Sequence, residues 1–369
     1  MTARARLLYL CLETLDADRA VHTHVYGLVE ALRRHGWEVE VIAAQGQRGR
    51  GLGLLRQFAR YGALNFKAIL RLRACDAVYV RSHFAALPLA LAARLMGRGV
   101  FHEINGVPDD LGVTYPRLAP ALGLLRWLYR AQYRRATHLF AVTEGLAAFA
   151  RALSGHARVT TAPNGVDPVL FSPEARRRPA AAPQGTYALF YGDVAQWHGL
   201  DVMFAALRDT AWPSDVSLLL IGRGSAAEGP LAPPDLAGRV VWLDRMAQIE
   251  LLPFIVNARF GLCPITDPGG RSATGVMPLK LLEMMACGLP VIVTELPGQA
   301  ELVGQTGCGL VVPPGDAGAL AKAVAALAAD VDAPTLGQRG RAAVLAAYSW
   351  DAVAAQTAAV MERQPPPPA

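Results

Sequence analysis

The sequence has few cysteines, few charged residues and no long apolar run, and each shortage excludes a class of protein. Its 369 residues contain five cysteines with no CxxC pair, so neither a disulfide framework nor a zinc site is indicated. Charged residues make up 18% and hydrophobic residues 53%, which excludes a disordered chain. No stretch reaches the roughly 20 apolar residues that a membrane-spanning helix needs. Scattered cysteines in apolar runs indicate a reduced, cytoplasmic protein, which we expect here.

Neither the first apolar run nor the net charge indicates a specific function. The first apolar run, Leu7–Leu12, is too short for the apolar region of a secretory signal. A formal net charge of +6 suits phosphate-bearing substrates or an anionic membrane surface. An ordinary solvated basic surface accounts for the same charge, and we expect no nucleic-acid partner.

Short apolar runs alternate with longer amphipathic segments, which predicts α/β domains with parallel sheets covered on both faces. The alternation stops in the Pro- and Arg-rich stretch from Phe171 to Gly185 and then restarts. Ligands of such sheets bind beyond the carboxyl ends of the strands, so a cleft between two domains is the expected site. The predicted parts are a first domain at 1–168, a linker at 169–185, a second domain at 186–349, a last helix at 350–364 and a disordered tail at 365–369.

Twelve strands are predicted, six in each domain. Helices are expected between them, in the first domain at about 21–35, 54–73, 84–97, 117–136 and 144–154. The predicted strands are Leu7–Leu12, Glu38–Ala43, Asp76–Val80, Val100–Ile104, His138–Val142, Val159–Ala162, Tyr187–Tyr191, Val216–Ile221, Val240–Leu243, Phe260–Pro264, Val291–Thr294 and Leu310–Val312.

The most informative stretch runs from Gly269 to Glu295. Its glycine-containing loop, Gly269–Gly275, lets backbone N–H groups approach a ligand, and the helix that follows opens at Pro278 and stops before Gly288. A helix N-terminus behind such a loop is an anion site that suits a diphosphate.

Within this helix, Leu279, Leu282 and Ala286 form the predicted core face. Glu283 lies just over one turn in, where its carboxylate could accept hydrogen bonds from a ribose diol. The alternative is that Glu283 pairs with Lys280 one turn earlier.

This segment resembles the donor-binding motif of the family-4 retaining glycosyltransferases, which have the GT-B architecture of two doubly wound Rossmann-like domains facing across a cleft. The run EMMACGLPV from Glu283 resembles that family's E-x-M-A-x-G-x-P-V, and PLKLLE from Pro278 resembles a branch that reads P-L-K-L-x-E. The family's preceding glutamate would fall at Gly275. The resemblance implies that Glu283 binds the nucleotide ribose and that Lys280, with backbone amides near Val276 and Leu279, holds the diphosphate.

Further ordered motifs extend the resemblance over nearly the whole chain. In the family, the helix that begins near Trp350 crosses back to the first domain. The matching segments are His24-Val25, PNGVD from Pro163, YGD from Tyr191, WHGLD from Trp197, the strand Val216–Ile221 ending at Gly222 of a G-x-G, and YSW from Tyr348.

Two departures concern the phosphate side of the donor site. The family's arginine after the second domain's first glycine is Asp193 here, and its lysine before the next glycine is His198. Lys280 could supply the missing charge, and His198 could donate a hydrogen bond or carry a charge. The alternative for His198 is a turn residue with no role in binding.

On the first domain, FHEING from Phe101 resembles the E-x-N-G version of the family's fourth strand end. Glu103 and Asn105 lie two residues apart, so both can point into the site, whereas His102 points towards the core. Glu103 could hold or partly deprotonate an acceptor hydroxyl, and His24 is placed on the acceptor side. The alternative is a carboxylate at the sheet end that pairs with an arginine.

Two basic, aromatic helices remain, at Leu54–Arg73 and Leu124–Arg135. Such helices can lie on anionic membranes, and peripheral membrane contact is one expectation. Ordinary Rossmann helices with an apolar core face and solvated arginines are the alternative. Asp16-Ala17-Asp18 spells a D-x-D pattern that arises easily by chance, and no metal or cofactor is expected.

The resemblance therefore implies a retaining, metal-independent transferase that moves a sugar from a UDP- or GDP-sugar to a hydroxyl acceptor. The acceptor is a saccharide, a lipid-linked molecule or a small molecule, as in polysaccharide, glycolipid or natural-product synthesis. A sugar-nucleotide epimerase and a catalytically weakened nucleotide-sugar-binding subunit are the alternatives. A nicotinamide-dependent oxidoreductase is disfavoured because no G-x-G-x-x-G follows the first strand.

Overall fold

The computed structural model describes residues 5–16, 20–44, 53–114, 116–174, 176–192, 196–222 and 232–364. The chain forms two compact units, each with its own sheet. The first unit comprises Met1–Gly165 with Trp350–Ala369, and the second comprises Val166–Ser349.

The first unit is built on a six-stranded parallel sheet of order β2-β1-β3-β4-β5-β6. Its strands are β1 (Arg6–Thr14), β2 (Glu38–Ala44), β3 (Ala77–Arg81), β4 (Gly99–Ile104), β5 (His138–Ala141) and β6 (Val159–Thr161). Its helices are α1 (Ala20–Arg34), α2 (Leu54–Arg71), α3 (Leu87–Leu95), α4 (Asp110–Thr114), α5 (Leu122–Tyr133), α6 (Glu144–Ser154) and α13 (Trp350–Arg363).

The second unit repeats the design with a six-stranded parallel sheet of order β12-β11-β10-β7-β8-β9. Its strands are β7 (Thr186–Tyr191), β8 (Val216–Ile221), β9 (Val240–Leu243), β10 (Phe260–Cys263), β11 (Val291–Thr294) and β12 (Gly309–Val312). Its helices are α7 (Leu200–Arg208), α8 (Gln248–Val256), α9 (Leu279–Ala286), α10 (Gln299–Thr306), α11 (Ala317–Ala329) and α12 (Ala333–Ala343).

All twelve predicted strands are present, with ends that differ from the prediction by at most two residues. The central strands are buried along almost their whole length because helices cover both faces of each sheet. The second unit accordingly has one hydrophobic cluster around Leu189 and Met284 and another around Phe190 and Leu220. The prediction of two doubly wound α/β domains is confirmed.

The last helix, α13, packs on α1 in the first unit. Trp350 opens it and is 5% exposed, with its ring against the edge of His24 at 5.1 Å between centroids. Two glycines make room for this ring: a Cβ added at Gly27 would lie 2.5 Å from Trp350 Cε2, and one at Gly165 would lie 2.7 Å from Trp350 Cδ2. Arg34 adds an exposed ion pair with Asp351 at 3.2 Å.

Residues 166–185, which include the predicted linker, belong to the second unit. Phe171 is 1% exposed and Ala182 is 5% exposed, and both lie in that unit's core. Arg341 donates to the carbonyl oxygens of Pro168 at 3.4 Å and Phe171 at 3.2 Å. The Pro- and Arg-rich stretch lacks periodicity because it packs as an irregular segment.

Helix α9 is buried more completely than its predicted core face suggests. Leu282 and Ala286 are buried as expected, but Leu281, Met284 and Met285 are buried too, whereas Leu279 is partly exposed. The prediction assumed one covered side, but α9 contacts both strand β10 and helix α12. Tertiary contacts on two sides therefore replace the single apolar face.

All five cysteines are free and buried. Within the described ranges, no helix is both long and apolar enough to cross a lipid bilayer.

The packing of Trp350 yields a stability prediction. Gly27→Ala should lower the free energy of unfolding of the first unit by about 1–3 kcal/mol, because the new methyl group overlaps the indole ring. Thermal and urea unfolding followed by tryptophan fluorescence would measure it.

Gly62→Ala is the matched control, because Gly62 also lies inside a helix but has open space around it. This control should leave stability unchanged or raise it by up to about 1 kcal/mol through better helix propensity. Equal effects of the two substitutions would contradict the packing argument.

Candidate functional site

The first unit gathers charged side chains at the carboxyl edge of its sheet. Strands β1, β3 and β4 are neighbours, and Arg81 at the end of β3 pairs in register with Glu103 in β4. Arg81 Nε donates to Glu13 Oε1 at 2.9 Å, and Arg81 Nη1 donates to Glu103 Oε1 at 2.8 Å. Parallel strands end at the same edge, so residues far apart in sequence meet there.

Glu103 is the centre of this cluster and is only 3% exposed. His24 Nε2 lies 2.7 Å from Glu103 Oε1, and Asn105 Nδ2 donates to the same oxygen at 2.6 Å. The Tyr9 hydroxyl donates to Glu103 Oε2 at 3.4 Å. The structure thus brings together the three residues predicted on the acceptor side, Glu103, Asn105 and His24.

Glu103 is held in its ionised form. Burial alone would raise its pKa, but the charge and hydrogen bond of His24, followed by Arg81 and Asn105, lower the pKa to about 2. A carboxylate with so low a pKa is a weak base, so of the two roles predicted for Glu103, holding a hydroxyl fits better than deprotonating it. The alternative prediction was that Glu103 pairs with an arginine, and Arg81 is such a partner.

His102 points away from this cluster, as the alternation along the strand predicts. It is fully buried, and its ring lies 5.7 Å from the ring of Tyr133. Burial lowers the pKa of His102 to about 3, so the ring is neutral. It belongs to the core.

On the second unit, Phe190 near the end of β7 brings two predicted residues together. Lys280 Nζ lies over the Phe190 ring, 4.1 Å from its centroid, and His198 meets the same ring edge-on at 5.8 Å between centroids. A Cβ added at Gly192 would lie 2.9 Å from Lys280 Nζ. Lys280 therefore extends from the N-terminal turn of α9 to the carboxyl end of β7.

The ends of β7 and β8 approach each other closely at two glycines. A Cβ at Gly222 would overlap the backbone carbonyl oxygen of Gly192, whose φ of 123° also favours glycine. Gly222 thus lies beside Gly192, and Lys280 lies next to Gly192. Asp193, the residue predicted next to Gly192, lies outside the described residues, as do Ala17 and Asp18 of the D-x-D triplet.

Glu283 is the buried carboxylate of the second unit, 6% exposed. The Tyr191 hydroxyl donates to its Oε2 at 2.8 Å, and Gln248 Nε2 donates to its Oε1 at 3.0 Å. Burial raises the pKa of Glu283, although Tyr191, Lys280 and Gln248 each lower it in part. Each oxygen of a carboxylate can accept two hydrogen bonds, so both oxygens of Glu283 have the capacity to accept one from a ligand.

The loop before α9 has the expected glycine geometry, but amides at its end already have acceptors within the protein, as the Gly275 N–H donates to Ser272 O at 2.8 Å. Gly275 has a φ of 93°, which favours glycine. The Val276 N–H donates to Pro297 O at 2.8 Å, so this amide is already used within the protein. Leu279 begins α9, where an amide has no acceptor within its own helix, and its N–H fits the predicted anion site better.

Four partners of these carboxylates were not predicted as site residues: Tyr9, Arg81, Tyr191 and Gln248. Arg81 follows the apolar run that predicts β3, so its place at a strand end was a usable signal. Tyr191 lies in the recognised YGD motif, and its contact with Glu283 depends on how α9 packs. Gln248 follows no motif, and only the fold brings it to Glu283.

The buried carboxylate of the first unit yields a pH prediction. Glu103→Gln should lower the free energy of unfolding by about 3 kcal/mol at neutral pH, because His24 and Arg81 lose a buried anionic partner. The folded pKa lies below the ordinary value of 4.5, so the stabilisation is complete above that value and is lost as the pH falls towards 2. Urea unfolding at a series of pH values would measure it.

The difference between wild type and Glu103→Gln should therefore stay constant from neutral pH to about pH 5 and shrink below it. Glu144→Gln is the control, since Glu144 is exposed and pairs with Arg151 at the surface. This control should change stability by less than about 1 kcal/mol. A difference that does not depend on pH would contradict an ionised Glu103.

Comparison with known proteins agrees with the two-unit division. The sequence model of the family described as "Glycosyltransferase Family 4" matches residues 21–170, and that described as "Glycosyl transferases group 1" matches residues 185–330. A phosphatidyl-myo-inositol mannosyltransferase of Mycolicibacterium smegmatis is 30% identical over 203 residues, which cover 54% of this chain and 50% of that protein. The aligned region thus spans about half of that relative.

Solved structures share the fold over nearly the whole chain. Sucrose-phosphate synthase from Thermosynechococcus elongatus superimposes with a TM-score of 0.73 at 21% identity, covering 98% of this chain and 99% of that one. Anabaena HepE in complex with UDP gives a TM-score of 0.71 at 17% identity, covering 97% and 99%. At these identities the likeness concerns the fold alone, which is GT-B. The two family matches, read with this fold, show that the chain belongs to the group 1, family-4-type glycosyltransferases.

Proposed function

We propose that this protein transfers a sugar from a UDP- or GDP-sugar to a hydroxyl acceptor, with retention of anomeric configuration and without a metal ion. The observation that carries the proposal is the grouping at the carboxyl edge of the second sheet. A cation, Lys280, lies there one residue into α9, and a buried carboxylate, Glu283, lies one turn further along. A nucleoside diphosphate needs a positive site for its phosphates and an acceptor for its ribose hydroxyls.

The phosphate side is proposed at the start of α9. The N-terminus of a helix carries a partial positive charge and unsatisfied N–H groups, which favour an anion. Lys280 adds a full charge beside Gly192, and His198 shares the Phe190 ring with it. These residues would stabilise the negative charge that develops on the departing diphosphate.

The ribose side is proposed at Glu283. Tyr191 and Gln248 fix the orientation of its carboxylate and are both neutral, so they leave its charge available to the ribose hydroxyls. A hydrogen bond to a charged acceptor is stronger than one between neutral groups. The mannosyltransferase relative and the UDP complex of the structural neighbour agree with a nucleotide-sugar donor.

The acceptor side is proposed on the first unit, at Glu103 and Asn105. The ionised Glu103 would accept a hydrogen bond from the hydroxyl that reacts and hold its oxygen in place. That oxygen bonds to the anomeric carbon as the bond from this carbon to the diphosphate breaks, and the hydroxyl proton passes to the departing diphosphate. The nucleophile is the acceptor, so attack from the leaving-group side needs no covalent enzyme intermediate. Saccharide, lipid-linked and small-molecule acceptors all fit this chemistry.

Donor binding is the first test. UDP-, GDP-, ADP- and TDP-sugars would be titrated by calorimetry with EDTA present, on wild type and Glu283→Gln. One nucleotide class should bind to the wild type, and the variant should bind at least about tenfold more weakly because it loses the charged acceptor for the ribose.

Asp235→Asn is the control for donor binding, since Asp235 is an exposed carboxylate of the same unit that pairs with Arg208. It should bind the donor as tightly as wild type. Absence of binding by every nucleotide, or unchanged binding by Glu283→Gln, would overturn the proposed donor site.

Turnover is the second test. Incubation of the preferred donor with a panel of hydroxyl acceptors in EDTA should give a product whose anomeric configuration, read by NMR, matches that of the donor. Lys280→Met should lower kcat by about a hundredfold, because it removes charge stabilisation from the leaving group.

Lys322→Met changes an exposed lysine of α11 and should leave kcat unaltered. An inverted product would contradict retention, and activity that appears only with added divalent metal would contradict metal independence. Tight donor binding without any turnover would favour the binding-subunit alternative.

A further inference from the structure

Three helices of the first unit form one continuous outer layer. Helix α2 packs beside α3, and α3 packs beside α5. These helices connect β2 to β3, β3 to β4 and β4 to β5, and each connection runs in the same direction across the sheet. Right-handed crossovers that run in one direction place their helices on the same side of a sheet. We call the outer side of α2, α3 and α5 the three-helix face.

Helix α2 exposes a stripe of large apolar side chains on this face. Their spacing of three, eight and four residues puts them on one side of the helix. A different side of α2 enters the core, through Tyr61, Asn65 and Ala68. The stripe is therefore additional to the core face, and its exposed fractions are 86% at Leu55, 51% at Phe58, 64% at Phe66 and 65% at Leu70.

The apolar exposure continues on the other two helices. Leu95 at the end of α3 is 85% exposed, and Met96 next to it is 40% exposed. On α5, Leu124 and Trp127 are 59% and 58% exposed and lie one turn apart. Single exposed apolar residues are common on any protein surface, but a set spread over adjacent helices marks an interaction surface.

Two of the three helices that carry these apolar side chains are also rich in cations. The segment Leu54–Ala74 has five Lys or Arg and no Asp or Glu, so its charge is +5, against +6 for the whole chain. Leu122–Arg135 has four Arg and no acid, which adds +4. Among the described residues, Glu40 pairs with Arg71, and Asp109 pairs with Arg126. The helices of the face thus carry charge of one sign.

We infer that the three-helix face docks on the surface of an anionic lipid bilayer. Apolar side chains at this density would enter the boundary between headgroups and acyl chains, and the cations would contact lipid phosphates. Trp127 suits the same depth, because tryptophan prefers the membrane interface. A second copy of the chain fits this face poorly, because the nine cations of one copy would repel the nine cations of the other.

This surface is independent of the donor-binding residues, all of which lie on the second unit. Docking therefore goes beyond the proposed transfer reaction, and its test requires neither donor nor turnover. The docking inference would be unaffected if the transferase proposal failed, and the transferase proposal would be unaffected if the docking inference failed.

The test is co-sedimentation of the full chain with vesicles of phosphatidylcholine alone and with vesicles that also contain phosphatidylglycerol. The wild type should bind the anionic vesicles at least about tenfold more strongly, and added salt should weaken this binding. Arg56→Glu with Lys67→Glu should reduce anionic-vesicle binding at least about tenfold. Phe66→Gln with Leu70→Gln should remove the part of the binding that resists salt.

The matched control is Val331→Gln with Lys322→Glu, which changes an exposed apolar residue and an exposed cation of the second unit. It should bind like wild type, and thermal unfolding would establish that each variant is folded. The inference would be overturned if the wild type did not bind anionic vesicles. It would also be overturned if the charge-reversed variant, Arg56→Glu with Lys67→Glu, bound them like wild type. A wild-type dimer in solution that Phe66→Gln with Leu70→Gln dissociates would overturn it too, because that result assigns the face to a second copy.

Discussion

Parallel pairing is the constraint on which the architecture of both units depends. Strands that run in one direction end at one edge, and helices must return the chain across the faces of the sheet. The faces are therefore apolar, and polar side chains collect at the carboxyl edge. Glu103 and Arg81 meet there in the first unit, and in the second unit Lys280 reaches the end of β7 from the start of α9.

The two buried carboxylates show how neighbours decide what burial does to an acid. Glu103 contacts His24 and the guanidinium of Arg81, and these contacts outweigh the effect of burial and lower its pKa. Glu283 accepts hydrogen bonds from a hydroxyl and an amide, both neutral, and burial dominates, so its pKa is raised. Glu103 is thus compensated within its own unit, whereas the charge of Glu283 is less fully compensated. A ligand with hydroxyl groups can supply the missing hydrogen bonds.

The sequence alone predicted the strands well because short continuous apolar runs, in a chain of this composition, fit little besides buried strands. It also singled out Glu103 and Glu283 as candidate site residues, since each lies in an ordered motif beside a strand end or helix start. The sequence did not predict the partners of these carboxylates that depend on long-range packing. Arg81 lies 22 residues before Glu103, and only strand register brings them together, while Gln248 lies 35 residues before Glu283. The core face of α9 was only partly correct because a second layer covers that helix.

The place of Trp350 has a consequence for the order in which the protein folds during synthesis. The helix that it opens packs on α1, and the ion pair between Arg34 and Asp351 joins residues 317 positions apart. A ribosome therefore makes the entire second unit before the first can cover α1. Until then the space beside Gly27 and Gly165 stays unfilled, and the apolar side of α1 is available to chaperones. The unit that is synthesised first is thus the last to be completed.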